Sequence, residues 1–147
     1  MLRNSAAGGE YWVLFLFVLI WCADSAAYFA GRSWGRHKLA AMVSPGKTLE
    51  GLGGALAAAL VLVLVAAFAA PLVDRDGLVI GLAVLALVTV LMSVLGDLAE
   101  SLFKRLAGVK DSGSILPGHG GILDRIDSLT AAVPTFVAGL WWLGVVK

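Results

Sequence analysis

The order of apolar and polar residues divides the chain into four long hydrophobic runs separated by polar segments. The runs cover residues 11–30, 52–73, 78–95 and 128–146, and the second and third contain no charged residue. A hydrocarbon core roughly 30 Å thick is crossed by about 20 helical residues, which is the approximate length of each run. Because a membrane segment must satisfy its backbone hydrogen bonds internally, we predict an all-α integral membrane protein with four transmembrane helices.

Composition supports one membrane domain spanning residues 1–147. Apolar residues make up 60% of the chain, and the mean hydropathy is +0.93, whereas a soluble domain is about 45–50% apolar. The formal net charge of +1 indicates no particular partner, and we expect no nucleic acid ligand. The single cysteine, Cys22, cannot form a disulfide within the chain.

Basic residues are concentrated in the first and third predicted loops. These residues are Arg32, Arg36, Lys38 and Lys47 in the first loop, and Lys104, Arg105, Lys110 and Arg125 in the third. Loops rich in lysine and arginine stay on the cytoplasmic side. We therefore predict a multi-pass protein of the inner cell membrane with both termini outside and both basic loops on the cytoplasmic face, where they can build one site.

Asp24 interrupts the first hydrophobic run. A carboxylate inside a membrane is costly unless it is paired or reached by water. Tyr28 follows one helical turn later on the same face. We interpret Asp24 and Tyr28 as part of a binding site; the alternative is that Asp24 bonds to another helix only for packing.

Between the first and second runs, Ser44 and Pro45 resemble a helix N-cap followed by a first helical residue. This pattern predicts that the second helix begins at Ser44. The free N–H groups of that turn, together with Lys47 and Thr48, would form an anion site. The Gly-Lys-Thr triplet is not a P-loop, because the required preceding glycine is absent and no strand comes before it.

The third hydrophobic run is followed by a polar helical face. Asp97, Glu100, Ser101 and Lys104 recur at spacings of three and four residues, so they lie on one side of a helix. Leucines occupy the other side of the same segment. The third helix is therefore predicted to continue out of the membrane as an amphipathic extension.

Asp124 and Asp127 lie one helical turn apart at the entry to the fourth helix, just before the fourth run. They could serve only as an N-cap and a first-turn acid. Together with Asp97 and Asp24 on the same side of the membrane, they form a carboxylate cluster that suits Mg²⁺. One cysteine and two separated histidines exclude a structural zinc site. His119 lies between glycines in the preceding loop, and a catalytic and a structural role both stay open for it.

These polar segments resemble the signature of the phosphatidate cytidylyltransferase, or CDP-diacylglycerol synthase, family. The matching positions are Ser101, Lys104, Arg105, Lys110, Asp111, Gly113, Pro117, His119, Gly120, Gly121, Asp124, Arg125 and Asp127. An upstream segment, residues 24–51, is similar to another region of the family. Members are generally longer, with several membrane helices before this region, so the resemblance covers their C-terminal, site-bearing portion.

The resemblance implies transfer of a cytidylyl group from CTP to phosphatidate, with Mg²⁺ and a second, monovalent cation such as K⁺. It implies cation ligands at Asp97, Asp124 and Asp127. The other residues assigned to catalysis are Lys104, Arg125 and His119. The residues assigned to substrate binding are Asp24, Tyr28, Ser44, Lys47, Thr48, Ser101, Arg105, Lys110 and Asp111.

The residue chemistry agrees with this implication. A phosphate monoester is already anionic near neutral pH, so the reaction needs charge neutralisation by metal ions and Lys or Arg side chains more than it needs a base. The alternatives are a non-catalytic truncated relative or half of a split enzyme, a CTP-dependent lipid kinase, and a small cation transporter using Asp24 and Asp97. If four helices do not enclose the lipid, a homodimer or a separate N-terminal membrane partner would complete the pocket.

Overall fold

Four helices and one short hairpin make up the described part of the protein. The computed structural model describes residues 9–69, 76–109 and 123–146, with the backbone alone described at 76 and 123–125. The elements are α1 (Gly9–Trp34), β1 (Lys38–Ala40), β2 (Ser44–Thr48), α2 (Leu49–Ala69), α3 (Asp76–Leu106) and α4 (Leu123–Trp142). The helical class predicted from the hydrophobic runs is confirmed, with the hairpin as an addition.

Three helices in the described ranges, α1, α2 and α3, are long and apolar enough to cross a membrane. The third is a single helix through Leu106, which confirms the predicted continuation of its polar face beyond residue 95. The fourth, α4, has 20 residues but begins with the charged sequence Leu-Asp-Arg-Ile-Asp, which shortens its apolar part. A fourth membrane span therefore stays a prediction.

The predicted start of the second helix at Ser44 is wrong. Residues Ser44–Thr48 form β2, which pairs antiparallel with β1, and α2 begins at Leu49. The N-cap is Thr48, whose Oγ1 accepts a hydrogen bond from the Gly51 N–H at 3.1 Å. Pro45 fits the strand because a two-stranded hairpin has an open edge on which its missing N–H removes no ladder hydrogen bond.

Small residues let the end of α1 and the start of α2 approach closely, as the glycine- and alanine-rich sequence of α2 predicts. A Cβ atom added at Gly54 would lie 2.6 Å from the Ala30 Cβ and 3.0 Å from the Ala26 carbonyl oxygen. One at Gly51 would lie 2.8 Å from the Ala27 carbonyl oxygen. These contacts fix the hairpin, which lies between the two helices in sequence, at one end of the bundle.

Replacing Gly54 with alanine is therefore expected to destabilise the protein by about 1–3 kcal/mol, because the added methyl group meets backbone atoms that cannot rotate away. The matched control is Gly53→Ala, since a Cβ there meets nothing within 4 Å and alanine is the better helix former by up to about 1 kcal/mol. Thermal unfolding in detergent micelles should give a lower midpoint for Gly54→Ala than for Gly53→Ala. Equal midpoints would contradict the close approach.

All four helices contribute to the core. Leu19, Ala59, Ala86, Phe136 and Leu140 are almost completely buried where the helices meet. The third and fourth helices pack antiparallel, because the Leu143 side chain contacts Gly81 while the Ala131 side chain contacts Gly96. The end of α3 thus lies beside the start of α4.

Candidate functional site

An open pocket of about 400 Å³ lies at the end of the bundle where α1 and α3 end and α2 and α4 begin. Its polar lining residues are Asp24, Tyr28, Ser44, Lys47, Thr48, Ser93, Asp97 and Ser128. The hairpin and four separate helices contribute to it. Residues from both sides of the first predicted loop therefore meet residues that flank the third, as expected if both loops lie on one membrane face.

An ion pair joins the hairpin to α3 across this pocket. The Lys47 Nζ lies 2.5 Å from the Asp97 Oδ2, and both side chains are partly buried. The other oxygen of Asp97, Oδ1, accepts a hydrogen bond from the Ser101 hydroxyl at 3.4 Å. Lys47, Asp97 and Ser101 were all predicted site residues, and the structure brings them together.

Two further carboxylates surround this ion pair. Asp24 lies within electrostatic reach of Asp97, Lys47 and Asp127, and Asp127 also interacts with Lys104. The Asp127 Oδ1 accepts a hydrogen bond from the Ser128 N–H at 2.6 Å. Three acidic side chains therefore share one region with Lys47 and Lys104.

The described side chains can be compared with the needs of a magnesium ion. Among them, no group of three acidic, histidine or cysteine side chains converges tightly enough to hold a metal. Asp124 lies in the first turn of α4, and its side chain is outside the described atoms. The carboxylates of Asp97 and Asp127 supply the hard oxygen donors that Mg²⁺ prefers, so the donor chemistry fits the ion.

Other predicted substrate residues lie around the edge of the pocket or away from it. The Tyr28 hydroxyl accepts a hydrogen bond from the Arg32 Nη1 at 3.1 Å, on the exposed side of α1. The hydroxyl of Thr48 caps α2, so this oxygen has a structural partner already. The Lys104 Nζ lies 3.3 Å from the Glu100 Oε1, and Lys104 lines a neighbouring cavity of about 450 Å³. Arg105 is exposed near the end of α3.

The remaining predictions fall outside the described atoms. Lys110, Asp111 and His119 lie outside the described residues. Asp124 and Arg125 belong to the backbone of α4, but their side chains are not described. The roles assigned to these five residues stay predictions.

Sequence reasoning missed two polar residues of the pocket, Ser93 and Ser128. Ser93 is buried at 3% exposure and lies one helical turn before Asp97. The same spacing that selected Ser101 on the other side of Asp97 would have found it. Ser128 directly follows Asp127 and offered no signal of its own.

Comparisons with known proteins show which family the chain resembles. The model of the cytidylyltransferase family matches residues 1–143. The phosphatidate cytidylyltransferase of Haemophilus influenzae is 54% identical over 129 residues, which are 87% of this chain and 45% of that protein. The phosphatidate cytidylyltransferase of Pseudomonas aeruginosa is 49% identical over 132 residues, which are 90% of this chain and 48% of that protein. The chain thus spans about half the length of the curated relatives it matches.

A solved structure is also similar. It is described as an intramembrane enzyme for archaeal membrane lipids biosynthesis, and it matches with a TM-score of 0.59 and 25% sequence identity over 86% of this chain and 76% of that one. This likeness and the three apolar helices establish a membrane protein. Since the family model covers nearly the whole sequence, the chain belongs to the cytidylyltransferase family.

Proposed function

We propose that this chain carries the site for transfer of a cytidylyl group from CTP to phosphatidate. The observation that carries the proposal is the partly buried ion pair between Lys47 and Asp97, which lies within one pocket beside Asp24 and near Asp127. The relatives named phosphatidate cytidylyltransferase support the choice of substrates. The products are CDP-diacylglycerol and pyrophosphate.

The reaction joins two anions. A phosphate oxygen of phosphatidate forms a bond to the α-phosphorus of CTP while the bond from that phosphorus to the bridging oxygen of the leaving pyrophosphate breaks. Lys47 contacts substrate phosphate, and Asp97 orients its ammonium group before the substrate arrives. No strong base is required, because the attacking oxygen is already ionised.

Mg²⁺ would be held by Asp97 and Asp127 together with Asp124, the third ligand that the family resemblance implies. When bound, it neutralises negative charge on the nucleotide phosphates and on the departing pyrophosphate. A second, monovalent cation is part of the same proposal. Lys104 and Arg125 stay candidates for contacts with the phosphates.

The place of the pocket suits a lipid substrate. It lies at the ends of helices that can cross a membrane, so acyl chains can stay among lipids while the head group enters among polar side chains. We propose that this end faces the cytoplasm, because the neighbouring segments carry most of the basic residues. With the predicted fourth span, the same rule places both termini outside, and we propose the inner cell membrane as the location. A homodimer or a separate N-terminal membrane partner that completes the lipid pocket is part of the same proposal.

The test is conversion of labelled CTP and phosphatidate by the purified chain in detergent–lipid micelles. We expect CDP-diacylglycerol and pyrophosphate with Mg²⁺, and loss of product to background when EDTA is added. If diacylglycerol is supplied in place of phosphatidate, release of CDP with formation of a phosphorylated lipid would instead identify a kinase. Absence of product from a folded, membrane-inserted chain would contradict the proposal that this chain by itself carries the site.

A further inference from the structure

His37 and Glu50 close the base of the hairpin. The imidazole Nδ1 lies 2.7 Å from the Glu50 Oε1, and the His37 backbone N–H is 3.2 Å and 3.3 Å from the two carboxylate oxygens. Because a carboxylate only accepts hydrogen bonds, the imidazole donates through its Nδ1–H. The Leu49 N–H also donates to the His37 carbonyl oxygen at 2.9 Å. We call this set of contacts the His37–Glu50 latch.

The hairpin needs such support. Its strands have only three and five residues, and the register between them is irregular. An isolated two-stranded hairpin is marginally stable in water. The buried Thr48 provides a second anchor on the α1 side, where Cβ atoms added at Gly31 and Gly35 would each lie 2.8 Å from its side chain.

The latch lies close to the lysine of the site. Lys47 directly precedes Thr48 and is three residues before Glu50 in the sequence. Side chains alternate between the two faces of a strand, so anchoring Thr48 against α1 directs Lys47 toward the other side, where it meets Asp97 on α3. A fixed hairpin base therefore determines the position of the Lys47 ammonium group.

We propose that Glu50 and His37 are positioning residues that hold Lys47 at Asp97 before substrate binds. In this structure they contact each other and the hairpin backbone, whereas Lys47 makes the contact to α3. Glu50 also lies in the first turn of α2, where the helix dipole favours its negative charge. The kinetic consequence rests on the proposed function, but the placement of Lys47 does not.

The first test compares steady-state kinetics of Glu50→Gln with those of the unaltered chain. Loss of the Glu50 charge lowers the fraction of molecules in which Lys47 lies at Asp97. Substrate binding must then restore this position of Lys47. Apparent affinity falls in proportion to that fraction, so we expect KM to rise about tenfold with kcat kept within about twofold. Glu50→Ala should show a larger rise in KM. His37→Ala, which keeps the backbone contacts, should show a smaller one.

The matched control is Glu10→Gln, an exposed glutamate in the first turn of α1, for which both constants should stay unchanged. If the latch served only to keep the protein folded, Glu50→Gln would lower kcat through loss of active enzyme and leave KM as it was. That result would overturn the proposal.

The second test needs no activity. A water-soluble amine-acylating reagent, followed by mass spectrometry, measures how fast Lys47 reacts, with Lys104 on α3 as the internal reference. We expect Lys47 to react several times faster in Glu50→Gln than in the unaltered chain, because release from Asp97 exposes its amine. An unchanged rate would overturn the proposal. If the unaltered chain formed no CDP-diacylglycerol, the proposed function would fail and the labelling result alone would decide the role of the latch.

Discussion

Asp97→Asn is expected to lower the rate of CDP-diacylglycerol formation by about 10³-fold while the chain stays folded and inserted. Asparagine keeps the shape of the side chain and an oxygen for the Ser101 hydroxyl, but it removes the charge that pairs with Lys47. It also removes a candidate cation ligand. Folding should tolerate the change, because Asp24 and Asp127 then have one fewer negative neighbour.

The measurement is kcat/KM for CTP at saturating phosphatidate, together with the thermal unfolding midpoint of the same preparation. The matched control is Asp76→Asn at the opposite end of α3, about 30 Å away along the helix axis. Its activity should equal that of the unaltered chain. Near-normal turnover by Asp97→Asn would contradict the assignment of this carboxylate to the reaction centre.

Much of this centre could be predicted from the sequence because membrane segments leave few places for charge. Asp24 and Asp97 had to face the bundle interior or water rather than lipid, and the structure places both in one pocket. The helical spacing of Asp97 and Ser101 likewise fixed their common face, and their side chains are hydrogen-bonded. These predictions needed only local periodicity and the cost of a charge in hydrocarbon.

Other features depend on contacts between residues far apart in sequence. Ser44 and Pro45 are compatible with both a helix start and a strand, and the packing of Thr48 against the glycines of α1 decides for the strand. Lys104 pairs with Glu100 one turn away on the same helix, and its contact with phosphate stays a prediction. The sequence shows which residues are present, but it does not show which of several possible partners each side chain contacts.

The ion pair between Lys47 and Asp97 is the contact that no local pattern could reveal, and it supports the other large prediction. Lys47→Met should lower kcat/KM by about 10²-fold, because the substrate phosphates lose a preorganised positive charge. Methionine keeps most of the length of the side chain and lacks only the ammonium group. Lys47→Arg should retain part of the activity, since the guanidinium keeps the charge but not the compact geometry of the ammonium group.

Stability should change little in Lys47→Met. Both members of the pair are partly exposed, with side-chain exposures of 25% and 31%, so the pair contributes about 1 kcal/mol or less. The control on the same hairpin is Lys38→Met, which alters an exposed side chain of β1. It should leave both kcat and KM unchanged.

Combining the two variants tests whether Lys47 and Asp97 act as one unit. If Asp97 orients Lys47 for substrate phosphate, the lysine contributes little once the carboxylate is gone. The double variant Lys47→Met/Asp97→Asn should then be about as active as Asp97→Asn alone, because losses from residues that act together do not add. The cycle needs kcat/KM for all four proteins, measured separately for CTP and for phosphatidate. Fully additive losses would show that the two side chains work independently, and the contact across the pocket would then have no part in catalysis.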